Sequence, residues 1–435
     1  MSTNIYQTFA ASMQQFEHIS ERETIAVGVS GGSDSMFLML CLAKWAKTRK
    51  NKIIILTVDH KLRTESAEEA QKVKIWAEGL GLEQVVLTWE GEKPKTGVQE
   101  QARKARFNLL LSYCQDNNIK FLALAHHLED QAETFLIRLG RGSGVDGLGA
   151  MRHITNIDGI NVIRPLLNIS HNGFKKYLKE NQMEWVEDPS NQNDHYQRVK
   201  IRKILPLLTD YGISPDVLSK TAEQMQRVRS FLDKITKEEI VKHTKLYEEG
   251  FITASPNLFI CNDDEIALRT LKKIIMGVCG LEYPLRLEKL SRLLDCLRNP
   301  DSFKGATLSG CQILKNKVKD ECGYLFVRET KKVEQSVCVN QTTSILWDKR
   351  FIINIKNNSN KNLIVRPLGA KLWKEMVKDK KIKIKKDIPR LAGIVLPTLF
   401  DNKDVLLIPH LSYKKEDINC DVEMSVSFKT SLYNF

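Results

Sequence analysis

The sequence predicts an α/β protein: an N-terminal parallel sheet with helices on both faces, then a small, mainly helical domain and a small basic α+β domain. Three observations predict it. Short apolar, β-branched runs alternate with helical patterns from Thr24 onward. One such unit, Thr24–Lys44 (TIAVGVSGGSDSMFLMLCLAK), joins strand to helix through a serine–glycine turn. Residues that carry chemistry gather where the predicted strands end, the side of a parallel sheet on which ligands bind.

Thr24–Val29 reads as a buried strand, broken by Ser30-Gly31-Gly32; Asp34 then opens a largely apolar helix. Glycines let the backbone approach closely, and the free N–H groups of a helix start favour an anion. The hydroxyls of Ser30, Ser33 and Ser35 add donors. A carboxylate beside phosphates needs a cation between them, so Asp34 implies magnesium. The spacing is not that of a Walker A loop, and the loop has no lysine.

Lys52–Val58 is the next predicted strand, ending at Asp59-His60, with Lys61, Leu62 and Arg63 behind it and a helix from about Ser66. Gln84–Trp89 is a weaker strand. Gln99–Cys114 reads as a helix with Ala102, Ala105, Leu109 and Tyr113 on one face and Arg103 and Arg106 near another. Lys120–Ala125 is a strand that stops at His126-His127. The helix that follows is expected to place His126, Asp130 and Glu133 on one face. No H-E-x-x-H is present, which argues against a zinc hydrolase. Arg138-Leu139-Gly140-Arg141-Gly142-Ser143-Gly144 is a basic glycine-rich loop suited to a phosphate or RNA backbone.

The loop Ser30–Ser35 resembles the SGGxDS signature of the PP-loop ATP pyrophosphatase superfamily. The chain also carries ALAHHLEDQAETFLIRLGRGSGVDGLGAM, Arg164-Pro165-Leu166-Leu167, and Trp185–Arg202 (WVEDPSNQNDHYQRVKIR). With Val58–Arg63 and Gln101–Phe107, these motifs resemble, in order, those of the tRNA(Ile)-lysidine synthetase family over about Thr24–Arg202. The resemblance implies an ATP-dependent ligase that joins the ε-amine of free L-lysine to carbon 2 of the wobble cytidine. The tRNA is an isoleucine tRNA with a CAU anticodon, and the intermediate is an adenylated cytosine. Carried over, Ser30, Gly31, Gly32, Ser33, Asp34 and Ser35 hold ATP. Asp34 and Asp130 serve Mg2+ or lysine, and Arg106 and His126 face the reacting phosphate and base. Asp59, His60, Arg63, Glu133, Arg141, Asp188, Tyr196, Arg198 and Arg202 are expected substrate or tRNA contacts. Glu129 stands where the family commonly has aspartate, and Arg198-Val199-Lys200-Ile201-Arg202 stands where the family usually shows Arg-Asn-x-Ile-Arg, so Val199 replaces the asparagine.

Composition is consistent with this. A formal charge of +13 on 435 residues favours a polyanionic partner. Nine scattered cysteines, with no C-x-x-C, suit a reduced cytoplasm without structural zinc. Residues 1–20 show no apolar leader, and the longest apolar run, Met36–Ala43, is far shorter than a membrane span. A cytoplasmic protein without membrane attachment is expected; the sequence leaves oligomeric state open, a homodimer included.

The expected division is 1–213 for the catalytic domain, 214–330 for a mainly helical middle domain with terminal β-hairpins, 331–362 for a linker, and 363–435 for a basic tRNA-binding domain. Leu218–Glu249, Glu265–Met276 and Leu285–Leu297 read as helices, and Thr307–Arg328 as hairpins. Lys361–Arg390 holds eleven basic residues against three acidic ones. Arg366-Pro367-Leu368-Gly369 resembles a degraded family motif. Two rivals remain. A tRNA thiolase of the same superfamily needs reactive cysteines or an iron–sulfur cluster, against which the missing C-x-x-C argues. A non-catalytic RNA-binding protein need not keep Asp34, Arg106, His126 and Asp130 together.

Overall fold

The computed structural model describes all residues except 1–4, 62–65, 92–96, 188–196, 282–284, 319–320, 335, 360, 380–381, 383–387, 403, 417–421, 431 and 433–435. Two compact units divide the chain, Met1–Ser230 and Phe231–Phe435.

The first unit holds α1 (Ile5–Ser12), β1 (Thr24–Gly28), α2 (Ser33–Arg49), β2 (Lys52–Asp59), α3 (Ser66–Gly79), β3 (Glu83–Thr88), α4 (Val98–Asp116) and β4 (Phe121–Ala123). It continues with α5 (Leu128–Leu139), α6 (Val145–Leu148), β5 (Ile154–Ile157), β6 (Ile160–Ile163), α7 (Phe174–Glu180), α8 (Gln197–Asp210) and most of α9 (Pro215–His243). Its sheet runs β3-β2-β1-β4-β6-β5. All pairs are parallel except β5–β6 at one edge. The strand order reverses between β1 and β4, and such a switch point opens a crevice beyond the carboxyl ends of the two strands.

Side-chain alternation places each face. Ile25, Val27, Ile53, Ile55, Phe121 and Ala123 face one core with α2 and α7, whereas Ala26, Ile54, Leu56 and Leu122 face the other with Leu110, Leu111 and Cys114 of α4. α2 is apolar on nearly every side because it lies inside the first core, where Phe37 stacks on Phe174 at 4.0 Å. A third cluster, Ala132, Phe135, Leu205, Leu218 and Ala222, packs α5 against α8 and α9.

The second unit contains β7 (Thr244–Tyr247), β8 (Phe251–Ala254), α10 (Asn257–Ile260), α11 (Asp264–Cys279), α12 (Leu287–Leu297), β9 (Ala306–Leu308), β10 (Cys311–Val318) and β11 (Glu321–Arg328). These give the antiparallel sheet β7-β8-β11-β10-β9 under three helices. β12 (Val337–Val339), β13 (Thr343–Trp347), β14 (Phe351–Asn357), β15 (Leu363–Pro367), α13 (Ala370–Lys378), α14 (Arg390–Gly393), β16 (Pro397–Asp401), β17 (Asp404–Ile408), β18 (Tyr413–Lys414) and β19 (Val422–Phe428) follow. They form the sheets β12-β15-β16-β17-β18 and β13-β14-β19.

Two expectations are corrected here. The charged helix expected to run to Glu249 ends at His243, and β7 takes its place because Leu246 and Tyr247 pair and pack against the sheet. The stretch 331–362, expected to be a linker, carries three strands instead, and Trp347, Phe351, Ile353 and Ile355 are buried in the core of this unit. Alternation conceals that core, since every second residue of β14 is exposed. Among the described residues, no helix is long and apolar enough to cross a membrane.

Candidate active site

The loop after β1 is built from the inside. Val29 N–H donates to Leu56 O at 2.9 Å, so strand pairing continues one residue past β1. Gly31 then turns at φ +86°, and a Cβ there would meet Val73 Cγ2 at 3.3 Å and Val186 Cγ2 at 3.4 Å. Its carbonyl accepts the Val186 N–H at 2.9 Å, strapping residues 183–187 over the loop. Ser35 is nearly buried; its hydroxyl donates to Gly32 O at 2.9 Å and accepts the Ser30 N–H at 3.2 Å. Ser35 therefore braces the loop. The start of α2 leaves the N–H groups of Gly32, Ser33 and Asp34 without intrahelical partners, facing the crevice.

Opposite it, β4 ends and α5 begins. His126 precedes the helix rather than joining it, and His127 is the N-cap, which corrects the expected single face for residues 126, 130 and 133. Asp130 and Glu133 are on the helix, one turn apart. The His127 ring joins three carboxylates: Nδ1 lies 2.8 Å from Glu129 Oε2, and Nε2 lies 3.5 Å from Asp34 Oδ2 and 3.4 Å from Asp130 Oδ2. Burial alone would lower its pKa, but the bonds to Asp34 and Glu129 and the charge of Asp130 push it up to about 10. Burial likewise opposes ionisation of Asp130, and the charges of His127 and Arg198 outweigh it and hold the carboxyl below its ordinary range. Burial takes His126 down to about 3, against the pull of Asp130, so this imidazole is neutral at pH 7. Its Nδ1 is buried without a hydrogen-bond partner among the described residues.

α8 supplies the next layer. The loop expected through Arg202 gives way to helix from Gln197, so Arg198 and Arg202 sit one turn apart and point at α5. Arg202 Nε binds Glu133 Oε1 at 2.5 Å and its Nη2 lies 3.8 Å from Asp130 Oδ1; Arg198 Nη1 lies 3.9 Å from the same oxygen. Glu133 is fully buried, and burial raises its carboxyl despite Arg202.

These groups enclose a cavity of about 460 Å³, lined by Ser30, Gly32, Ser33, Asp34, Ser35, His60, Arg106, His126, Asp130 and Arg198, with Leu56, Val58, Ala70, Leu110 and Leu124 as an apolar wall. Arg106 makes no hydrogen bond or ion pair to any described residue, and burial, with Arg103 nearby, lowers its pKa. Gly31, Glu133 and Arg202 stand behind the lining. Asp59 turns away: its Oδ1 accepts from Lys61 N–H at 2.8 Å and Ser66 Oγ at 2.7 Å, and it organises the turn after β2. Burial would raise that carboxyl, but these bonds hold it low. Arg141 is exposed and donates to Gln197 Oε1 at 3.2 Å, while Arg138 closes the glycine-rich turn through Gly147 O and Ala150 O. Arg63, Asp188 and Tyr196 lie outside the described residues. His127 was legible only as half of a His-His pair; the carboxylates two and three residues after it are the signal of its role.

The fit of a divalent cation can be judged from the donors. Asp34 and Asp130 come from different elements, both line the cavity, and each brings an oxygen within 3.5 Å of the same His127 nitrogen. Hard carboxylate oxygens next to a phosphate-sized anion site suit Mg2+.

Comparison with known proteins identifies the family. Residues 5–208 match the family described as PP-loop domain. A tRNA(Ile)-lysidine synthase of Wolbachia pipientis wMel is 36% identical over 403 residues, covering 91% of this chain and 91% of that one. The synthase of Ruegeria pomeroyi is 36% identical over 88% of each chain, and that of Orientia tsutsugamushi 32% identical over 98% of this chain and 97% of its own.

Proposed function

The chain belongs to the tRNA(Ile)-lysidine synthase family, and on that premise we propose how its cavity serves the reaction. It is an ATP-using carbon–nitrogen ligase that modifies an isoleucine tRNA. In our reading, ATP adenylates the wobble cytosine O2 of the CAU anticodon with loss of pyrophosphate. The ε-amine of free lysine then attacks carbon 2 and AMP leaves.

The observation that carries this reading is the approach of Asp34 and Asp130 to one edge of His127, beside the N–H groups of α2 that have no intrahelical partner. The N–H groups and the Ser30 and Ser33 hydroxyls take the phosphates of ATP, and the apolar wall takes the adenine. Asp34 and Asp130 would hold Mg2+, which supplies charge neutralisation at the phosphates when bound. Arg106, uncommitted to any described residue, faces the charge that develops on the α-phosphate. Lysine has an unperturbed amine pKa of about 10.4 and must lose a proton before attack. Glu133 is shut off from the cavity behind Arg202, so Asp130 and His126, which line it, are the groups within reach of that proton. The charge of Arg198, which lines the cavity, suits the lysine carboxylate.

We propose tRNA binding for the region 363–435, which shares its sheets with β12 and β14 and so is not a separate domain, supported by the excess of basic residues in Lys361–Arg390. Arg366 is not an open contact there, because its guanidinium stacks on Phe400 at 3.8 Å.

The test is to follow [α-32P]ATP with and without the CAU isoleucine tRNA. AMP formed only with the tRNA, and lost in D34N, supports the reading. ADP as product, or cleavage independent of tRNA, contradicts it.

A further inference from the structure

We propose that His127 is a positioning residue that holds Asp34 and Asp130 together for a divalent cation. The inference rests on the reading of that pair as cation ligands. Nδ1 donates to the Glu129 carboxylate at 2.8 Å, and Nε2 stands at ion-pair distance from both members of the pair, 3.5 Å from Asp34 and 3.4 Å from Asp130. Asp34 lies in the first turn of α2 and Asp130 in the first turn of α5. Two like charges on separate helices repel, and one imidazole edge within 3.5 Å of both offsets that repulsion.

The ring is itself fixed from behind. Glu129 accepts from Ser170 Oγ at 2.5 Å, from His171 N–H at 3.1 Å and from His171 Nδ1 at 2.9 Å. Phe174 meets the ring edge-on at 6.2 Å and stacks on Phe37 of the core. His127 is 5% exposed and does not line the cavity, so it acts through the carboxylates and not on substrate. His127, Glu129 and His171 bring possible ligand atoms within 4.8 Å of one another. Glu129 Oε2 already accepts from both imidazoles, however, which makes this trio a clamp.

The isosteres separate the two nitrogens. In H127N the amide replaces Nδ1 and keeps the Glu129 bond, but Nε2 is gone, and of this residue only the backbone N–H still reaches Asp130, at 3.3 Å. In H127Q the amide reaches the Nε2 position. Mn2+ affinity of the full chain, read by electron paramagnetic resonance with a non-cleavable ATP analogue, is expected to fall about tenfold or more in H127N and to stay within about threefold of native in H127Q. Native-like Mn2+ binding in H127N, with binding lost in D34N, overturns the proposal and leaves the metal reading standing. Native-like binding in D34N overturns the metal reading and the proposal with it. Where circular dichroism shows H127N unfolded, E129Q takes its place. It loosens the clamp while sparing both carboxylates, and about tenfold weaker binding is expected; affinity within about threefold of native there overturns the proposal.

Discussion

Arg202→Ala tests the electrostatic design of the site on its own terms. Glu133 is fully buried, and Arg202 meets its carboxylate at 2.5 and 3.5 Å, while Arg198 stands off at 4.0 Å. Removing one partner of a buried pair costs about 3–5 kcal/mol. Arg202 is itself 42% exposed, so water enters its place, and Arg198 remains; about 2 kcal/mol is the expected loss at about pH 8. The sign with pH follows from Glu133. Its folded pKa lies above the ordinary carboxylate value, and the variant raises it further. A raised carboxyl leaves stability intact below the unfolded pKa and removes it as pH rises through the folded one. One further unit is worth about 1.4 kcal/mol. The destabilisation should therefore shrink to below about 1 kcal/mol at about pH 5. Urea-dependent hydrogen exchange of the α5 amides reads this locally, and the double variant E133Q/R202A should recover part of the loss. A loss under about 0.5 kcal/mol at the higher pH, or one equal at both, would refute the reasoning.

The remaining predictions concern the loop and its ligands. Gly31→Ala forces a side chain to φ +86° against Val73 and Val186, so thermal melts should show a loss of about 1–2 kcal/mol and KM for ATP should rise. Ser35→Ala removes two bonds that set the loop, and a loss of about 1 kcal/mol with a KM for ATP raised about tenfold is expected, read by steady-state kinetics. Chelation with EDTA should abolish AMP formation, and added Mg2+ should restore it; persistence without metal would remove Asp34 and Asp130 from the role given them.

The N-terminal sheet was legible because its strands are buried on both faces and read as continuous apolar runs, KIIILTV being the clearest. The β5–β6 hairpin passed unread although Asp158-Gly159, both at positive φ, is a hairpin turn signal. The β13–β14 turn gave less to see: Asp348 and Lys349 also take positive φ, with no glycine to announce it. In the site, Ser30–Ser35, His126 and Asp130 stood out through composition at strand ends. Arg198 and Arg202 read as loop because turn formers precede them, although their four-residue spacing fits a helix face. Asp59 was misleading for a physical reason, since an aspartate at a strand end caps a turn as readily as it binds a ligand. No local pattern reveals the His127 clamp, because Ser170 and His171 reach Glu129 from some forty residues away.

The most direct test of the whole account is a single-turnover incubation of the chain with transcribed CAU isoleucine tRNA, ATP, Mg2+ and radiolabelled lysine, beside Asp130→Ala. The account predicts label in the RNA of the native reaction, matched by AMP, and none in the variant. Label in both reactions would move the chemistry away from this cavity. AMP without label in the native reaction would contradict lysine as the nucleophile.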